Sequence, residues 1–133
     1  MDNLEDRFWL LIDDIGWGTK TTNKEEIGRN LESSYSEEYL RAFYWFVKCK
    51  RHILVGKLNK HSFQQTGNPY SYYGVGDDSF WDLTAHIVGL GKETFNRIAY
   101  SDPEEAKTMA DNGDFTENFE YIFHYMYKDV DVT

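Results

Sequence analysis

The sequence predicts an all-α (mainly α) fold, a compact single-domain bundle of five or six helices spanning residues 1–133. Two observations carry that expectation. Apolar residues recur at spacings of three and four in five stretches, and acids, Asn or Ser able to cap a helix precede them. Only residues 61–76, rich in Gly, Asn, Tyr, Ser and Gln, break this pattern, and they read as a long loop with at most a small hairpin. A chain of 133 residues suits one domain with a real core.

Residues 74–103, GVGDDSFWDLTAHIVGLGKETFNRIAYSDP, organise the rest. Asp77 or Asp78 is placed to cap a helix, since a carboxylate accepts bonds from unpaired N–H groups of the first turn and suits the helix dipole. Phe80, Leu83, Thr84, Ile87 and Leu90 then share one helical face. Gly89 and Gly91 mark a kink, a helix end or a close backbone crossing. Helical spacing resumes with Phe95, Ile98 and Ala99.

Upstream, a first helix over about residues 3–15 carries the stripe Leu4, Phe8, Leu11, Ile12 and Ile15, with Asp2 or Asn3 as cap and Trp9 beside it. Gly16-Trp17-Gly18 ends it, and Trp17 is either a plug over the core or a contact residue. A short helix over 25–32 turns Ile27 and Leu31 inward. Ser34 and Glu37 have capping-box spacing, so a long helix starts at Tyr35 or Ser36 and runs to about Asn59. Leu40, Phe43, Val47, Leu54 and Leu58 lie on one side of it, and Tyr39, Phe46 and Ile53 widen that face. Cys49 reads as a small packed side chain. Downstream, Asp102-Pro103 with Glu105 repeats the capping signature for a helix over 103–110 that stops by Gly113. Asp114 and Glu117 open a last helix bearing Phe115, Phe119, Ile122 and Met126. The expected core unites Phe8, Leu11, Ile12, Phe43, Val47, Leu54, Leu83, Ile87, Phe119 and Ile122.

DDSFWDLTAHIVGLGKETF (77–95) with AYSDPEEA (99–106) resembles the bacterial family catalogued as domain of unknown function 4240. That family has a similar acid-acid-small-Phe start, a helix closing on a Gly-containing turn, and an Asp-Pro step. RFWLLID (7–13) is similar to its N-terminal Phe-Trp helix, and LRAFYWF (40–46) agrees more loosely. The main matches cover under a third of the chain. Where this chain has GNPYSYYGVG before the acid pair, the family has a continuous helix. The resemblance implies a mostly helical fold and brings no established active site.

Charge is segregated. Residues 1–38 hold 4 basic and 10 acidic side chains (net −6), residues 39–76 hold 6 basic and none acidic (+6), and residues 77–133 hold 4 and 13 (−9). The whole chain carries −9, which disfavours nucleic acid and favours a cationic partner. A single Cys excludes an internal disulfide and fits a reducing cytoplasm, and no apolar run approaches a membrane span.

Chemistry is sparsely signalled. His52, His61, His86 and His124 show no helical zinc spacing, and no HExxH, CxxC, EF-hand, GxSxG, Walker, Rossmann or kinase pattern occurs. Asp82 and His86, four apart, share a face and form a candidate base with its orienting carboxylate, against an ion pair or core-edge histidine. Nothing nominates a nucleophile, so the reading leans away from an enzyme, with no cofactor and no metal. The basic segment 48–60, with Lys48, Lys50, Arg51, Lys57 and Lys60, is read as a helix face docked on the protein's own acids, and alternatively as a nucleic-acid surface. The expected function is an acidic protein-binding module, such as an immunity protein or antitoxin neutralising a basic toxin domain. Its candidate partner-binding residues are Trp17, Tyr70, Tyr72, Tyr73, Asp77, Asp78, Asp82, Glu104 and Glu105.

Overall fold

Helices form where apolar spacing and chain breakers place them. The computed structural model describes residues 4–15, 17, 24–66, 77–113 and 115, with the backbone alone at 24–25, 61–66 and 77–78. Six α-helices follow one another: α1 Leu4–Ile15, α2 Lys24–Ser34, α3 Glu37–Thr66, α4 Asp77–Gly89, α5 Lys92–Tyr100 and α6 Glu104–Asn112. No strand occurs among the described residues. None of the described helices is long and apolar enough to cross a membrane.

α3 is the axis, packing against α1, α2, α4 and α5, while α6 packs on α5. Ser36 caps it: the side-chain Oγ accepts the Tyr39 N–H at 3.2 Å. The capping residue is therefore Ser36 rather than Ser34, because the backbone leaves helical form between Ser34 and Glu37. At its other end α3 continues to Thr66, seven residues past the expected stop at Asn59. Lys60 to Gln65 include no Gly or Pro, so nothing local ends the helix before Gly67. The expected loop is correspondingly shorter, and residues 67–76 lie outside the described ones. So does the last helix, with its core candidates Phe119 and Ile122.

The remaining core candidates are all buried. Phe8 joins α1 to α3, its ring centroid 4.8 Å from Trp9, 5.0 Å from Phe43 and 5.5 Å from Phe46. Trp9 reaches on to Phe95 of α5 at 5.4 Å. Such aromatic pairs add about 0.5–1.5 kcal/mol each beyond area burial. Leu4 departs from its stripe and is exposed, at the rim of a small cleft that it lines with Tyr39, Ala42 and Phe46 of α3.

The glycine pair resolves into a helix end. α4 stops at Gly89, and Gly91 turns the chain with φ 116°, a conformation essentially reserved for glycine. A Cβ at Gly91 would also stand 3.3 Å from Asp13 Oδ1 of α1. Pro103 precedes α6 with helical dihedrals, and Gly113 closes it in left-handed form. Glu105 does not complete a capping box. Its carboxylate instead accepts Arg97 Nε at 2.7 Å and Nη2 at 2.9 Å, which fastens α6 to α5.

Two outcomes check this frame. Leu83→Ala or Ile87→Ala, each emptying a fully buried site, should cost about 2–5 kcal/mol by denaturant unfolding. The Arg97 hydrogen bonds hold the Glu105 carboxyl below its ordinary value of 4.5. That contribution is therefore present above pH 4.5 and lost as pH falls through the lowered value. Glu105→Gln should flatten the acid limb of a stability–pH curve and leave α5 intact by circular dichroism.

Candidate functional site

Sequence spacing nominated two kinds of site, an Asp–His pair and an acidic, aromatic contact surface. The pair sits on α4, where Asp82 is half-buried and His86 is buried at 6% exposure. His86 Nδ1 accepts a hydrogen bond from the Trp17 indole Nε1–H at 2.9 Å, and the rings meet edge-on at 6.3 Å. Indole is a donor only, so Nδ1 carries no proton in this arrangement. The imidazole thereby acts as the receptor of the loop tryptophan, and a general-base role would have to displace it.

Trp17 is 3% exposed and belongs to the core cluster. Its assignment as a partner contact is corrected: it is the plug, because its ring removes a large apolar surface from water only when folded inward. The pairing spans 69 positions of sequence and carries no local signal.

The acids divide. Glu104 is exposed in the first turn of α6, two residues after exposed Asp102, and Tyr100 at the end of α5 is 59% exposed. Glu105 is half-buried and committed to Arg97, so it serves the fold before any partner. Asp77 and Asp78 open α4, but their side chains lie outside the described residues, as do Tyr70, Tyr72 and Tyr73. Of the nine nominated residues, Trp17 meets α4 at His86, one turn from Asp82, and Glu104 and Glu105 share α6.

The cationic middle of the chain turns inward in part, at Lys48, Lys50 and Arg51, while Arg41, Lys57 and Lys60 are exposed. Arg51 is 1% exposed and its guanidinium carbon lies 3.3 Å from the centroid of the Trp81 ring on α4. Lys50 gives its ammonium to Glu5 of α1 at 2.6 Å, and that bond lowers the Glu5 carboxyl below its usual value. Lys57 lies 5.3 Å from the Tyr100 ring. Docking of the segment on the protein's own acids is realised at Glu5, and Arg51 and Lys57 also lie against aromatic rings. Arg51 is what sequence reading missed. Its position continues the four-and-three spacing Leu40, Tyr44, Val47, Arg51, Leu54, Leu58, which was the available signal.

Among the described residues, no three His, Cys, Asp or Glu side chains gather as metal ligands. A cleft lined by Asp13, Leu90, Gly91, Lys92, Glu93, Thr94 and Asn96 opens between the end of α1 and the start of α5. Its lining includes no Ser, Cys or His.

The Trp17–His86 bond has a direct test. His86→Leu keeps the buried bulk and leaves the indole N–H facing an apolar group, so unfolding free energy should fall by about 1–3 kcal/mol. Trp17→Phe in the same background should recover part of that loss.

No family model, curated protein or solved structure matches this chain.

Proposed function

We propose that the chain is an acidic protein-binding module, an immunity-like protein or antitoxin that neutralises a basic toxin domain in the bacterial cytoplasm. One observation carries the reading. Among the described residues every acidic side chain is exposed or half-buried, whereas Lys48 and Arg51 are buried and Lys50 is bound to Glu5. A chain of net charge −9 therefore presents more negative charge to its surroundings than its composition alone implies.

Tyr100, followed by Asp102 and Glu104, supplies a described face of the required kind. An exposed aromatic ring anchors a partner by losing water, and carboxylates around it steer a cationic surface during approach. Tyr100 takes the anchoring role first given to Trp17. The resemblance to the domain of unknown function 4240 family rests on the motifs of α4 to α6 and agrees with a helical module, without adding a mechanism. An enzyme built on Asp82 and His86 is less favoured, since Nδ1 of His86 is occupied by Trp17. Nucleic-acid binding through residues 48–60 is less favoured because Arg51 faces the core rather than solvent.

Gene neighbourhood is the first test: an adjacent gene should encode a larger protein with a basic, toxic C-terminal domain, and co-expression should restore growth. With that domain purified, association should slow roughly tenfold or more between low and high salt. Asp102→Lys with Glu104→Lys should slow association while changing dissociation little, and Tyr100→Ala should mainly speed dissociation. A complex indifferent to salt and to all three changes would refute the reading.

A further inference from the structure

Tyr39, Phe46 and Ile53, which widen the apolar side of α3, are only half-buried in the bundle. Three places after each of them stands a small residue: Ala42, Cys49 and Gly56. Ala42 and Gly56 are exposed, Cys49 is half-buried, and a Cβ built on Gly56 would meet nothing within 4 Å. The six recur at alternating steps of three and four, so they form one stripe along about 25 Å of helix. None of them is charged. The stripe lies on a different face from the buried row Leu40, Val47, Leu54 and Leu58.

Large and small side chains alternate along this stripe, and the alternation is complementary to itself in one arrangement. A second copy of α3, laid antiparallel about a two-fold axis level with Val47 and Lys48, sets large against small at every layer. Tyr39 stands level with the second copy's Gly56, Phe46 with its Cys49, and Ile53 with its Ala42. Charge agrees with the same register. Arg41 falls level with Leu54, Lys48 with Val47, Lys50 with Trp45, Arg51 with Tyr44 and Lys60 with Tyr35. Lys57, which is exposed, falls level with exposed Glu38. No cation of α3 is set against another, whereas in a parallel, in-register pair each would meet its own copy.

We infer that this stripe is the interface of a homodimer, with α3 of one copy packed antiparallel on α3 of the other. The small residues let the two backbones approach closely, and each large side chain fills the hollow above a small one. Leu4 of α1, 60% exposed at the cleft it lines with Tyr39, Ala42 and Phe46, is covered in the same step. The two-fold axis supplies the Glu38–Lys57 pairing twice, once at each end. A helix of an unrelated protein would require none of this internal matching. The stripe shares no residue with Tyr100, Asp102 and Glu104, so the dimer stands or falls apart from the basic partner proposed above.

Sedimentation velocity on the full chain tests it. The mass should move from one chain to two as concentration rises from about 1 to about 100 μM. Gly56→Gln puts a side chain where only the second copy stands, and it replaces a helix-interior glycine with a better helix former. The melting temperature at low concentration should therefore not fall, while dimerisation weakens about tenfold or more. Ala42→Gln, also at an exposed position, should weaken it comparably. Glu38→Lys should weaken it about three- to tenfold, and adding Lys57→Glu in the same chain should restore it, since both end pairs are then reversed. A chain that stays monomeric at the highest concentration would overturn the proposal and leave the stripe to a helix of another protein. A dimer indifferent to Gly56→Gln and Ala42→Gln would place the interface elsewhere, and failure of the charge-reversed double variant to recover would refute the antiparallel register.

Discussion

Burial of one side of α3 is the constraint on which the rest depends. A 30-residue helix is about 45 Å long, and its row Leu40, Tyr44, Val47, Arg51, Leu54 and Leu58 must be covered along most of that length. No single short helix is long enough to do so. α1 and α2 therefore join α4 and α5 in packing against it, from the two apolar side chains of α2 (Ile27 and Leu31) to the five buried ones of α4 (Phe80, Leu83, Ala85, Ile87 and Val88). The order of helices in the chain matters less to the core than the fact that each has an apolar face to give.

Arg51 shows what that constraint costs and how the cost is met. A guanidinium in the covered row would oppose folding if it were left as a bare charge. Its guanidinium carbon lies over the Trp81 ring, and guanidinium is more weakly hydrated than an ammonium, so less is lost on leaving water. The consequence reaches the surface. Drawing positive charge toward the core separates it from the acids, which stay outside because nothing inside meets them. Arg51 thus lies inside, while every described acidic side chain is exposed or half-buried.

Two further polar ties between elements then help complete the frame. Trp17 on His86 seals the end of α1 over α4, and Arg97 on Glu105 holds α6 against α5. Each removes a residue from the list of surface contacts. A side chain that hydrogen-bonds inward cannot also greet a partner without first breaking that bond. Functional nominations made from residue type alone miss this competition.

Helix content and most of the core were legible in the sequence, since spacings of three and four bring Phe8 to Ile12 and Leu83 to Ile87 onto one face whatever lies opposite. The break at Gly89 to Gly91 was legible too, because only glycine readily adopts the dihedrals that Gly91 takes. The candidate site was far less legible. Trp17, His86, Glu105, Lys48 and Arg51 each have a side chain equally suited to a contact surface or to an internal partner. Which one prevails depends on residues 8 to 69 positions away, and on whether an aromatic face or a carboxylate arrives there. Local pattern sets what a helix can bury. Only the packed bundle decides which polar and aromatic groups are used up inside and which remain for others.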